Sequence, residues 1–397
     1  MAAPQLARPP LATPPAASDS AITITLLTMG QGGEVYELFG HNAIWVHDPS
    51  QPFDIVYNWG VFDFRTPGVL GRFLLGDMRY LMAGETIDNT LAVYAYLNRH
   101  VVAQELNLTP AEKRALVDYV RWNALPQNRE YRYDYYRDNC STRVRDVIDR
   151  VTGGQLRPYL KSIPTDETYR SHSLRLMQGE KLLVTGVEMV LGRPTDFKLS
   201  ADEASFLPVQ LMHYLRDFKV GGGKRQLVAR EYVLNESTRA PEAQRAPAMW
   251  KALAPIGLLL AGLILVLGFH VRRRLWVSIA VAVLSAVYGL VGTIITLLVT
   301  ITDHVAAHAN ENMFMLNPIW LVVAVAVPMF LGRGKARSLA KWSAYAGAVL
   351  ALGAVLIHLL GMSRQPNWDV IALLLPSELA IAAVVRRFYR DSARASS

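Results

Sequence analysis

The chain has one cysteine, Cys140, in 397 residues, which excludes an internal disulfide. Charge is scarce as well: 19% of residues are Asp, Glu, Lys or Arg, against 51% hydrophobic. The mean hydropathy is +0.18. That balance excludes an ordinary soluble protein of this length. Residues 1–20, rich in Pro and Ala, lack the apolar core of a secretory signal and read as a disordered lead-in. No Lys or Arg falls between Asp303 and Pro318. The net charge of +8 does not point to nucleic acid, because much of the basic surplus sits in short loops between apolar runs.

Those runs occupy 249–271, 275–302, 313–331, 340–361 and 367–385. A hydrocarbon core takes about 20 helical residues, so five spans are expected. The third is the weakest, with a polar start and Pro328 inside it. Basic residues cluster in alternate loops: Arg272, Arg273 and Arg274; Arg333, Lys335, Arg337 and Lys341; Arg386, Arg387, Arg390 and Arg394. The loop 361–369 holds only Arg364. The positive-inside rule makes the basic loops cytoplasmic, and an odd number of spans then puts the N-terminal domain outside. The first span alone is ambiguous, since Arg239, Arg245 and Lys251 flank its outer end. An exterior domain must be exported, so either a signal peptide is removed or the start is misplaced. The expected layout is a lead-in over 1–20, an exterior domain over 21–234, a linker over 235–248, a five-helix membrane domain over 249–390 and a tail over 391–397.

Alternation and β-branching predict strands at 21–27, 41–48 and 53–64, the last ended by Gly60. Residues 109–125 read as a helix with Thr109 as N-cap, Pro110 at N1 and Glu112 closing a capping box. A second helix covers 141–151, with Val144, Val147, Ile148 and Val151 on one face, and a third, broken at Pro208, covers 199–218. The class is α+β with a small antiparallel sheet, followed by an all-α five-helix membrane domain.

Cys140 falls at the start of the second helix, where free N–H groups and the dipole favour thiolate, the nucleophilic form. A thiol nucleophile needs a base held by a third polar group. His41, after Gly40 at a strand start, is the candidate base, and Asn58 in "YNWG" the candidate orienter. A lone cysteine is most often a small buried hydrophobe, and a lone histidine is usually structural. An idle thiol in an oxidising exterior is a liability, however, so its retention suggests use. Backbone N–H groups at Cys140 and Ser141 are candidate oxyanion donors. Arg143 is a candidate phosphate contact, with a structural ion pair as the alternative; Arg145 and Asp146 follow it, and His47 shares a strand face with His41. In the outer loop, His304, His308, Asn310, Glu311 and Asn312 suggest a lipid-headgroup or docking role; with so few carboxylates, no metal is expected. Glu378, inside the fifth span after Pro376, is either functional or a paired structural group.

With these residues in view, a resemblance emerges. "LFGHNAIWV", "DIVYNWGVFDF" and "NLTPAEKRALVDYVRWNALPQNREYRYDYYRDNCSTRVRDVID" resemble the Lnb N-terminal periplasmic domain, and "DHVAAHANENMFMLNP" (303–318) resembles the loop of its membrane half. The resemblance implies a bacterial inner-membrane lipoprotein N-acyltransferase, multi-pass, with a periplasmic N-terminal domain and a cytoplasmic C-terminus. The His-before-Cys order is similar to the permuted papain-like thiol acyltransferases. Carried over, Cys140 is the nucleophile and His41 the base, with no cofactor. The implied donor is a membrane phospholipid and the implied acceptor a diacylated lipoprotein, both reached at the lipid bilayer. Keeping water from the thioester calls for a membrane-facing site roofed by the spans. A cysteine hydrolase (peptidase, amidase or phospholipase) and a non-enzymatic membrane-anchored binding module remain the alternatives.

Overall fold

The computed structural model describes residues 17–62, 68–270, 274–329 and 334–394. Arg272, Arg273 and Arg333, which carry part of the orientation argument, lie outside them, as do residues 1–16 of the lead-in and 395–397 of the tail. The described residues form two compact units. One holds 17–177 and 198–244; the other holds 178–197 and 245–394.

The first unit is built on eight strands, β1 (Thr23–Met29), β2 (His41–His47), β3 (Ile55–Val61), β4 (Arg79–Thr86), β5 (Val101–Leu106), β6 (Glu130–Arg132), β7 (Arg225–Gln226) and β8 (Val228–Asn235). All but β7 form one seven-stranded sheet in the order β6-β4-β3-β2-β1-β5-β8, with every neighbour antiparallel. Three of the seven are legible as alternation in the sequence. Its helices are α1 (Val69–Leu75), α2 (Ile87–Tyr96), α3 (Pro110–Asn123), α4 (Cys140–Val151), α5 (Leu156–Lys161) and α6 (Tyr169–Leu176). After α7 (Lys181–Val190), which belongs to the other unit, come α8 (Ala201–Ala204), α9 (Pro208–Asp217) and the short α10 (Val220–Gly223).

The sheet is buried on both faces near β1. Ile24 and Leu26 point into the larger core with Ile44, Val46 and Trp59, while Leu27 and Met29 point into a smaller one with Ala43, Val56 and Val101. Helix α4 seals the larger core with Val144, Val147 and Ile148, all fully buried. Each is worth about 1.5–3 kcal/mol of burial. The α3 capping box forms as expected: Thr109 Oγ1 accepts from Glu112 N–H and Glu112 accepts from Thr109 N–H at 2.7 Å.

Two boundaries differ from expectation. The lead-in ends in a 3-10 turn, Ala17–Ala21, because the carboxylate of Asp19, fully buried, pairs with Arg114. The run expected to be a linker is pinned to the domain: Asn98 accepts from Thr238 N–H at 3.0 Å, and Glu242 pairs with Arg175 at 3.2 Å.

The second unit contains five helices long and apolar enough to cross a membrane, among the described residues: Trp250–His270, Leu275–Ile301, Glu311–Met329, Ala336–Leu359 and Trp368–Arg390. They correspond to α11 (Trp250–His270), α12 (Arg274–Ile301), α13 (Ile319–Met329), α14 (Gly334–Leu359) and α15 (Trp368–Arg394). The third is the shortest α-helix of the five, extended at its N-terminal side by a 3-10 turn over Glu311–Phe314. Packed with them is α7 and the turn after it. Although the sequence places 178–197 in the exterior domain, its hydrogen bonds are to residues 306–312 and 365.

Candidate functional site

The site forms where α4 begins, beside the ends of β2 and β3. Asn139 caps α4, its Oδ1 accepting from the N–H groups of Ser141 (3.0 Å) and Thr142 (2.9 Å), while Thr142 Oγ1 accepts from Asn139 N–H (2.8 Å). The cap's own amide is anchored on the carbonyls of Tyr135 (3.0 Å) and Phe206 (2.9 Å). Cys140 is therefore the first residue of a firmly fixed helix, and it is partly exposed.

His41 begins β2, and Asn58 stands on β3 opposite Ala43, one step along the same face. His41 Nε2 and Asn58 Oδ1 lie 3.1 Å apart. The second contact of Asn58 settles the roles. Its Nδ2 donates to the Val56 carbonyl at 3.2 Å, so its oxygen must face the imidazole. Nε2 then carries the hydrogen, and Nδ1 is the free acceptor. That leaves Nδ1 for the sulfur.

Burial pushes the Cys140 thiol up, but the charge of His41, its hydrogen bond, and the N–H groups of Asn42 and Ser141 more than offset it. The thiol ends below its ordinary range. Aromatic rings crowd the same place. Tyr80 stacks on Tyr133 at 4.2 Å, Phe62 leans on Tyr80 at a tilt of 37° and 4.9 Å, and Tyr135 meets Tyr133 edge-on at 6.0 Å. Burial first, and the Cys140 charge second, push the Tyr80 hydroxyl up to about 12. Chemically, this is a thiol beside an oriented imidazole base, with aromatic rings around it.

Several features here were not anticipated. Gly60 does not end β3; it occupies a bulge at φ +93° where the register shifts between Trp59 and Val61. A Cβ at Gly60 would lie 3.7 Å from Cys140 Cβ, so its bare face is turned to the nucleophile. Glycine inside a strand pattern is the signal that marks such a bulge. Asn42 supplies both an N–H to the sulfur and an amide to Ser141 Oγ at 3.1 Å. Tyr131 also reaches the site, without any local signal in the sequence.

The other candidates are occupied elsewhere. Arg143 is not free for a phosphate: its guanidinium is buried against Asp138, with Nη2–Oδ2 at 2.6 Å, and lies 4.1 Å over the Tyr131 ring. The Ser141 hydroxyl is spent on the Ser205 carbonyl at 2.7 Å, and its N–H is shared between the Asn139 side chain and the sulfur. Arg145 pairs with Asp146 at 2.7 Å and donates to the Asp202 carbonyl. His47 faces Asp54 at 2.8 Å on the exposed side of the domain.

In the second unit, the amides of Asn310 and Asn312 are not open to a headgroup. Asn310 Nδ2 donates to the Met189 (2.9 Å) and Val190 (2.8 Å) carbonyls, and Asn312 Nδ2 to Glu188 and Met189 (both 3.0 Å). They finish the C-terminal turn of α7. His304 precedes a 3-10 turn over Val305–Ala307 and His308 faces the Thr302 carbonyl at 3.4 Å. Glu378 is fully buried among the helices, its carboxylate oxygens without a hydrogen-bond partner among the described residues. Among the described residues, no three His, Cys, Asp or Glu side chains gather as a metal site.

Family models bear on both units. One described as the Lnb N-terminal periplasmic domain matches residues 16–173, and one described as the Lnb transmembrane domain matches residues 247–390. No curated protein and no solved structure matches the chain. With an antiparallel-sheet domain and five apolar helices in that order, the chain belongs to the Lnb family and is a multi-pass membrane protein of the lipoprotein-modifying kind with a periplasmic N-terminal domain.

Proposed function

We propose that this chain is a thiol acyltransferase that moves an acyl chain from a membrane phospholipid, through a thioester on Cys140, to the α-amino group of a lipoprotein's N-terminal diacylglyceryl-cysteine. The supporting observation is the pairing of Cys140 with an imidazole whose free nitrogen is chosen by Asn58. Family membership supplies the substrate class. The proposed setting is a bacterial inner membrane with the C-terminus cytoplasmic, a reading that the basic loops support.

The chemistry balances as follows. Cys140 gives its proton to His41 Nδ1, and the thiolate attacks the ester carbonyl carbon. The tetrahedral intermediate collapses, the ester C–O bond breaks, and the lysophospholipid oxygen takes the proton from His41. The amine of the acceptor then attacks the thioester and loses a proton to His41. Collapse breaks the C–S bond, releases the amide and returns the proton to the Cys140–His41 pair. A site crowded by Tyr80, Tyr133 and Tyr135 limits competing attack by water.

The test is incubation of the purified full-length protein with acyl-labelled phospholipid and a diacylated lipopeptide. The expected products are lysophospholipid and labelled N-acyl peptide. Labelled free fatty acid without acylated peptide would establish the hydrolase alternative instead.

A further inference from the structure

One hydroxyl beside the nucleophile is unused. Tyr131 stands on β6, directly across from Tyr80 on β4, so the sheet fixes the height and face of its ring. The residue is only 7% exposed, and its hydroxyl is buried without a hydrogen-bond partner among the described residues. A buried O–H bears the full cost of leaving water and recovers nothing until an acceptor arrives.

Where that hydroxyl points follows from Gly60. A Cβ built there would lie 3.7 Å from Cys140 Cβ and 4.0 Å from Tyr131 Oη. The bare glycine thus leaves a space about one methyl wide that Cys140 and the idle O–H both border. The ring cannot swing away: the Arg143 guanidinium lies 4.1 Å over its centroid and is itself gripped by Asp138. Burial first, and the Cys140 charge second, hold the phenol well above its ordinary range.

We propose that Tyr131 is a catalytic residue of this site, donating its O–H to the acyl carbonyl oxygen as that oxygen becomes an oxyanion in both tetrahedral intermediates. The inference rests on the acyl-transfer reading above. No proton moves: the O–H···O bond forms as the carbonyl π pair shifts to oxygen, and it weakens when the pair returns. The division of labour is physical. In the resting site, the Asn42 and Ser141 N–H groups already serve the sulfur, and the Ser141 N–H is shared with the Asn139 side chain. Tyr131 serves nothing until a substrate oxygen appears, so its bond is gained largely in the transition state, where it accelerates the reaction.

Tyr131→Phe removes one oxygen and keeps the ring under Arg143. In the full-length protein in detergent, p-nitrophenyl palmitate acylates Cys140 and releases p-nitrophenol. The expected result is an acylation rate lower by about 10²-fold, while iodoacetamide alkylation of Cys140 keeps its wild-type pH profile. Replacing Tyr131 by p-aminophenylalanine, which restores a donor at the same place, should recover part of the loss. An acylation rate within about threefold of wild type overturns the proposal. So does a loss matched by an equal loss of alkylation, since the hydroxyl would then be tuning or placing the thiol. Cys140→Ala separates the two layers: if it is inert and Tyr131→Phe is not, only the oxyanion role falls; if Cys140→Ala still turns over, the acyl-transfer reading falls with it.

Discussion

Two polar clusters in this chain draw on the same residue types and use them in opposite ways. Around Cys140, a histidine and two asparagines meet a nucleophile, and the Tyr131 hydroxyl is left without a hydrogen-bond partner among the described residues. Around Asn310 and Asn312, the side-chain amide nitrogens are all spent. Asn367 Nδ2 donates to Asn312 Oδ1 at 2.6 Å, Gln365 Nε2 reaches the Leu191 carbonyl at 3.1 Å, and Glu311 pairs with Arg193 at 3.7 Å. Gly192 completes the clasp, since a Cβ there would fall 2.0 Å from the His308 carbonyl oxygen. Donors that are spent on backbone carbonyls hold a segment in place, whereas a buried O–H with no partner is available to a substrate oxygen.

This contrast is sharpest under mutation. Cys140→Ala should lower acyl transfer by about 10⁴-fold or more, because the nucleophile is gone, while the thermal melt in detergent stays close to wild type. Retained transfer would leave the first cluster as structural as the second. Asn58→Ala frees the imidazole to turn and to change tautomer. A loss of about 10²-fold in acylation is expected, with little change in melting temperature. The pH response goes with it. A thiol held below its ordinary range by His41 stays reactive toward iodoacetamide as pH falls below that range. In His41→Gln the thiol rises, so alkylation should fade at higher pH than in wild type; an unmoved profile would remove His41 from the pair.

The second cluster should respond in the other currency. Asn312→Ala removes the amide donor to the Glu188 carbonyl and the acceptor of Asn367 Nδ2, and should cost about 1–3 kcal/mol of stability. Its signature is a lower melting temperature with an unchanged Cys140 alkylation profile. Thr109→Ala is the smallest change, about 1 kcal/mol from one lost N-cap, and touches neither cluster.

What the sequence shows of this molecule is what depends on near neighbours. The Thr109–Glu112 box, the stripe of Val144, Val147 and Ile148, and the five apolar runs are set within a few turns of chain, and each appears in the structure. His41, Asn58 and Cys140 could be singled out because their chemistry is distinctive in combination. Tyr131 could not, because its position depends on a three-residue strand pairing with residues some fifty positions earlier. Gly60 read as a strand end because a bulge and a stop look alike until the partner strand is known. Asn310 and Asn312 looked open because their acceptors belong to a helix far upstream. The same distance hid the true affiliation of 178–197.

That distance also bears on how the protein is made. The last turn of α7 is completed by amides that lie 120 to 124 positions later. A ribosome needs on the order of ten seconds to add that much chain. For that interval α7 has emerged with its end unfinished, and the clasp closes only after two apolar segments have followed it. In order of synthesis, the loop that carries Asn310 and Asn312 is thus a late partner for a segment made early.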